Sequence, residues 1–384
     1  MPNVHSMRPA SASARWLHCP GSIRISEQCP EGNTDSAYAQ EGTLAHEIAE
    51  LKLRIATDKS VKAADLKKLS KDPMWTGEMD EATDFYRDLV LEHLAAESED
   101  AELMIEQRVD YSEWVPGGFG TSDAVIIGED TIEIIDLKYG KGIRVDATEN
   151  SQMRLYALGA FQIFGDLYDF EQVRMTICQP RLDHVSTEEM TVKDLLAWAD
   201  EVVVPAAEES EREDAHTEAG DWCRWCPGRA VCRTRAEANL ELARLEFRKP
   251  DLLSDDEIGE VLAKADALTA WAADIEAYAL QQAIEGKHYD GWKLVEGRSV
   301  RKYADELKVS EALQKIGYKE AVLYERKLLG ITAMEKLVGK KKLTETLGDL
   351  IIKPAGKPVL VPQSDKREEI KGAASAAADF SDDI

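Results

Sequence analysis

Apolar positions along the chain change period, and the changes divide it into segments. The run Glu41-Gly-Thr-Leu-Ala-His-Glu-Ile-Ala-Glu-Leu-Lys-Leu53 reads as the start of a helix with Thr43 as its N-cap. A charged connector spans 57–75, and Phe85, Leu89 and Leu94 predict a second helix over 79–98. The centre then turns to strand patterns at 103–110, 124–127 and 131–137, with Gly128-Glu-Asp130 as a hairpin loop between the last two. Helical spacing returns at 150–164. A strand over 173–179 ends at Pro180, and a helix covers 192–212. A cysteine-rich segment follows, then a helix to about residue 248.

Pro250 marks a boundary. Behind it Ser254-Asp-Asp-Glu257 is a capping box, and Ile258, Leu262, Leu268, Trp271, Ile275 and Tyr278 form one face of a long helix. A small hairpin at Glu296-Gly297 and basic helices come next, and the composition from about 364 predicts disorder. The expected organisation is an α/β domain over 1–248, a mainly helical and partly basic domain over 250–363, and a tail over 364–384. The strand order expected of the first is a mixed central sheet flanked by helices.

Composition narrows the picture. A chain of 384 residues with 44% hydrophobic residues suits two or three ordinary domains. No apolar run approaches the ~20 residues of a membrane helix. The first residues, Met1 to Arg8, have no signal-peptide character, so a cytoplasmic location is expected. The formal charge of -26 opposes non-specific binding to nucleic acid. It is unevenly spread: Arg298–Leu343 carries twelve Lys/Arg against six Asp/Glu. Acidic runs such as Glu208–Asp214 read as solvated faces.

The candidate chemistry lies in two groups of residues. The first is Gly120-Thr-Ser-Asp123, then Asp136-Leu-Lys138, then Gln152 and Tyr156. Phosphodiester hydrolysis needs a divalent metal, and Mg²⁺ or Mn²⁺ takes one or two carboxylates. Asp123 and Asp136 suit that role at the ends of two paired strands. Lys138 lies two residues beyond Asp136, on the same strand face, where it can orient water or offset developing charge. Gln152 and Tyr156 are four apart on one helix and reach the same place. The second group is Cys223-x2-Cys226-x5-Cys232, three thiols that suit zinc or an iron–sulfur cluster. A zinc ribbon would bring a second Cys-x-x-Cys pair, which the sequence lacks. The fourth ligand must then be distant; Cys19 is the better candidate and Cys29 the weaker. Cys178, inside a strand, reads as a buried small hydrophobe.

The ordered set Gly-x-x-Asp, Asp-x-Lys and Gln-x3-Tyr resembles the PD-(D/E)XK nuclease superfamily in its RecB-like branch. The likeness is to phage- and prophage-borne members with an iron–sulfur cluster, relatives of AddB and of the CRISPR adaptation nucleases, and it spans about residues 11–240. Ser122 stands where the superfamily's name has proline. The resemblance implies a restriction-endonuclease-like sheet. It also implies metal binding by His46, Asp123, Asp136 and the Leu137 carbonyl, with catalysis by Lys138. Gln152 and Tyr156 would position DNA and the lysine. It implies a structural [4Fe–4S] cluster on Cys19, Cys223, Cys226 and Cys232, with Zn²⁺ as the alternative. Tying residue 19 to residue 232 closes a loop long enough to stabilise the domain by several kcal/mol in chain-entropy terms.

The expected activity is metal-dependent hydrolysis of single-stranded or end-bearing DNA, exonucleolytic in mode, alongside phage replication or recombination proteins. The competing readings are a non-catalytic DNA-processing or scaffold subunit that keeps the fold, and a zinc-dependent binding module. No P-loop, Gly-x-Ser-x-Gly or His-Glu-x-x-His motif occurs. The basic stretch 298–342 is either a DNA contact or a solvated face.

Overall fold

A computed structural model describes residues 6–29, 37–58, 60–240, 254–293 and 306–315, with isolated positions beyond. The boundary at Pro250, the hairpin at Glu296-Gly297, most of the basic stretch 298–342 outside 306–315 and the tail 364–384 lie outside the described residues. The chain divides into two compact units, Met1–Gln282 and Ala283–Ile384. The long helix behind the capping box thus belongs almost wholly to the first unit. In the second, Glu306–Lys315 is helical.

The first unit is mixed α/β. Two short helices, α1 (Ser13–His18) and α2 (Ser22–Glu27), precede α3 (Ala37–Thr57), α4 (Ala63–Leu69) and α5 (Gly77–Ala96). Five strands follow: β1 (Glu102–Asp110), β2 (Phe119–Ile127), β3 (Thr131–Leu137), β4 (Gln172–Gln179) and β5 (His184–Thr191). They lie side by side in chain order. The β1–β2, β2–β3 and β4–β5 pairs are antiparallel, and β3–β4 is parallel. Parallel neighbours need a crossover, which α6 (Ser151–Phe164) supplies. After β5 come α7 (Val192–Trp198), a π-helical turn and α8 (Val204–Ser210), then α9 (Arg233–Leu240) and α10 (Asp255–Ile284).

The sheet is covered on both faces. Every residue of β3 is buried, its four Ile and Leu residues together with Thr131, Glu133 and Asp136. On one face Val125, Ile127, Ile132 and Ile134 pack with Met153, Leu155 and Leu158 of α6 and with Leu195 and Val203. On the other, Ala124, Ile126, Ile135 and Leu137 pack with Ala49 and Leu53 of α3 and Tyr86 and Val90 of α5. Caps fix the helix starts: the Asn150 side chain accepts from the Gln152 and Met153 N–H groups, and Thr76 from Met79 N–H. α6 comes close to β1, because a Cβ on Gly159 would lie 2.9 Å from Val109 Cβ. No helix among the described residues is long and apolar enough to cross a membrane.

Four expectations change. Thr43 is not an N-cap: α3 begins earlier, and the Thr43 hydroxyl donates to the Ala39 carbonyl inside the helix. The connector 57–75 contains α4, and β5 was not foreseen. The helix over 192–212 is continuous but passes through a π-helical turn at Ala199–Val203.

Candidate metal-dependent active site

The end of β3 brings the first group of residues together. Asp136 is 4% exposed, and its Oδ1 accepts a hydrogen bond from Gln152 Nε2 at 3.3 Å. Lys138 Nζ lies 3.0 Å from Asp136 Oδ2, a charge contact without hydrogen-bond alignment, so this buried oxygen has no donor of its own. The ammonium donates instead to Gln152 Oε1 at 3.0 Å. The Lys138 backbone is fixed by its N–H to the Cys178 carbonyl, 2.8 Å. Gln152 Nε2 also donates to Tyr156 Oη at 3.3 Å. One amide therefore joins the carboxylate, the lysine and the tyrosine, as the four-residue helical spacing predicts.

Asp123, on β2, turns its Oδ1 to His46 Nδ1 of α3 at 3.1 Å. Its Oδ2 accepts from the Leu137 N–H at 2.7 Å. His46 and Asp123 share a cleft of about 500 Å³ with Tyr38, Glu47, Glu50 and Glu106. All residues of the sequence-predicted site thus lie at one end of the sheet. Gly120 explains its own place in the motif: a Cβ there would stand 2.7 Å from Tyr156 Cε1. Sequence reasoning missed Glu50 and Glu106, which periodicity counts only as polar positions of a helix and a strand.

The electrostatics are those of crowded carboxylates. Burial pushes His46 down, but the Asp123 hydrogen bond and the Asp123 and Asp136 charges outweigh it and raise the imidazole to about 9. Asp136 is raised by burial, which outweighs the opposing charge of Lys138. Glu106 is lifted to about 7 by burial and then by the charges of Asp123 and Glu50. Burial and the Asp136 charge hold the Tyr156 phenol up as well.

Among the described residues no three His, Cys, Asp or Glu side chains close into a ready-made metal cage. Asp123 is spent on His46 and Leu137 N–H, and Asp136 is turned to Gln152 and Lys138. The donor set nonetheless fits a hard divalent cation: two carboxylates and an imidazole, one carboxylate oxygen buried without a donor, and excess negative charge balanced by a proton on His46.

The thiols converge from distant parts of the sequence. Cys19 follows α1 and is buried. Its thiol is raised by burial, opposed by the Glu218 N–H, and raised further by the neighbouring Cys226, Cys223 and Cys232. The Glu218 N–H points at Cys19 Sγ at 3.4 Å, and the Gly220 N–H at Cys223 Sγ at 3.5 Å. Such donors suit thiolate ligands of a cluster, whose charge they offset. His18 stacks on Trp222 with ring centroids 4.4 Å apart, and Gly21 N–H bonds the His216 carbonyl at 2.8 Å, clamping the two segments. Cys29 faces the same segment, since a Cβ on Gly228, between Cys226 and Cys232, would lie 3.5 Å from its Sγ. The six cysteines form no disulfide with one another, and Cys178 is fully buried as expected.

Comparison with known proteins finds a family model described as "Protein of unknown function (DUF2800)" matching residues 5–368. A solved structure titled "Crystal structure of SSO0001" aligns with 52% of this chain and 98% of its own, at 15% identity and a TM-score of 0.23. A likeness that low carries no argument.

Proposed function

The chain belongs to the DUF2800 family, and we propose that it is a Mg²⁺- or Mn²⁺-dependent deoxyribonuclease of the PD-(D/E)XK kind. In this reading the five-stranded sheet is the restriction-endonuclease-like core of the RecB-like branch. The observation that carries it is the Asp136–Lys138–Gln152–Tyr156 linkage, with a buried carboxylate oxygen that has no donor, beside the His46–Asp123 pair.

Asp123, Asp136, His46 and the Leu137 carbonyl would hold the cation. When bound, it supplies charge neutralisation at a phosphate and an acidified water. The chain's own residues do the rest. His46 must release its proton before its ring can offer a lone pair, so cation binding is coupled to proton release. Lys138, fixed by Gln152, offers its ammonium where negative charge develops. Gln152 is in turn held by Tyr156, which fixes the amide that holds the lysine beside Asp136. Cys19, Cys223, Cys226 and Cys232 would carry a structural [4Fe–4S] cluster that ties the amino-terminal helices to the segment after α8. Participation in phage DNA replication or recombination rests on the sequence resemblance alone.

The test is cleavage of end-labelled single- and double-stranded DNA with Mg²⁺ or Mn²⁺, using anaerobically purified protein beside Asp136→Asn. Wild type should cleave and the folded variant should not. Cleavage that survives the substitution would refute the site. An inert wild type with its cluster intact would turn the reading to a non-catalytic subunit. The purified protein should be brown, absorbing near ~400 nm; a colourless zinc protein would refute the cluster.

A further inference from the structure

The register of the sheet sets three carboxylates in one row. Ile105↔Ala124 and Gln107↔Ser122 bracket Glu106 and Asp123 on β1 and β2. Ala124↔Ile135 is the last rung between β2 and β3, so Asp123 and Asp136 come next in line. The ladder opens at this row on both sides of Asp123.

Glu106 departs from strand geometry there. Its φ is 53°, a left-handed conformation in the middle of a nine-residue strand. For a residue with a Cβ this costs about 1–2 kcal/mol. The kink resets the pleat. Leu103 and Ile105 pack on the α3–α5 face, whereas Val109 lies in the core beneath α6. Strict alternation would send all three odd-numbered residues to one face. The half-buried Glu106 side chain lines the cleft with His46 and Asp123. Among the described residues its carboxylate has no hydrogen-bond or ion-pair partner. Glu50, in the same cleft, is held by Arg54 at 2.8 Å. At the far end of the row stands Asp136 Oδ2, buried and held through charge by the Lys138 ammonium at 3.0 Å. Nothing among the described residues explains why a strained, unpartnered carboxylate is kept beside two others; a cation bound among them does.

We propose that Glu106 is a further carboxylate ligand of the divalent cation at this site, so that the centre draws ligands from three adjacent strands. The inference rests on the reading of His46, Asp123 and Asp136 as a cation site. Its test is Mn²⁺ binding by the full-length protein without DNA, measured by calorimetry and by the electron paramagnetic resonance of free Mn²⁺. Glu106→Gln should bind Mn²⁺ at least tenfold more weakly than wild type, about the loss expected for a ligand. Glu106→Gly, which relieves the left-handed strain, should fold at least as stably without metal yet lose the same affinity. Glu102→Gln, on the exposed start of β1, should bind as wild type does.

Wild-type affinity in both Glu106 variants would overturn the proposal. If Asp136→Asn weakened binding in that same experiment, the cation site would still stand. Absence of Mn²⁺ binding in every protein would overturn both. Glu106-dependent Mn²⁺ binding by a protein that cleaves no DNA would sustain this inference and sink the nuclease.

Discussion

Gly120→Ala tests how the helix and sheet are fitted together at the site. Gly120 is not left-handed, so its backbone accepts alanine; only space forbids it. The added Cβ would lie 2.7 Å from Tyr156 Cε1, and 3.5 and 3.6 Å from Cδ1 and Cζ. The ring cannot swing freely: Tyr156 is 8% exposed and its Oη is bonded to Gln152. Overpacking of this kind costs about 1–3 kcal/mol. Loss of glycine's freedom in the unfolded chain returns about 0.4–1 kcal/mol. The expected net destabilisation is about 1.3 kcal/mol, the difference of the two midpoints. Urea unfolding followed by circular dichroism reads it as a lower midpoint at unchanged slope. The origin is isolated by a cycle with Tyr156→Leu, where the same alanine should be nearly neutral. Coupling below about 0.3 kcal/mol would mean that the two sites are independent and would refute the reasoning. A Tyr156 displaced by the Cβ also moves Gln152 and hence Lys138. On the proposed function, cleavage should then fall by more than tenfold while Mn²⁺ binding changes little.

Two further outcomes are expected. On the proposed cluster, Cys19→Ser should lose iron, sulfide and visible absorbance together, whereas Cys29→Ser should keep them; the reverse pattern would move the fourth ligand to Cys29. His93→Gln should flatten the pH dependence of stability. The hydrogen bond that His93 Nδ1 donates to buried Glu133 raises the His93 pKa, with burial opposing. A raised histidine contributes stability in full below its unfolded pKa of about 6.5 and loses it as pH rises through the higher folded pKa. Wild type should therefore gain over His93→Gln on the acid side of that window, and melting curves that run parallel across it would count against the pair.

What the sequence made legible follows from where apolar contrast was strong. β2, β3 and α6 were readable because both faces of β3 are buried and α6 is buried all round from Leu155 to Ala160, so Asp136, Lys138, Gln152 and Tyr156 could be set on one end of the sheet. β5 was not, because it pairs only with β4 and alternates half-buried with exposed side chains, with Val185 and Met190 as its apolar residues. α4 buries no side chain fully and leaves no stripe to read. Thr43 has the residue type of an N-cap, which predicts a helix start, yet α3 begins at Ala37 and Thr43 lies in its interior, beside a Gly42 with open space around it. The extent of the first unit depends on contacts between distant residues: Asp274 of α10 binds Arg229 at 2.8 Å and Arg235 at 2.6 Å. Glu106 was hidden for a different reason, since nothing in a glutamate announces a left-handed backbone.

The charge of the chain bears on how the proposed site would work. With a formal charge of -26, the protein as a whole repels a phosphate backbone. The site itself adds Glu50, Glu106, Asp123 and Asp136 against Lys138, Arg54 and a protonated His46. A phosphate can approach that row only when its charge is reversed locally, and divalent cations do this most effectively. Cation and DNA would then bind with positive coupling: each lowers the other's dissociation constant by the same factor. The acidic composition, which at first opposes a nuclease, thus becomes a condition on one. DNA held here without cations should depend on contacts elsewhere in the chain. DNA held with them should be oriented by the row that runs from Glu106 through Asp123 to Asp136.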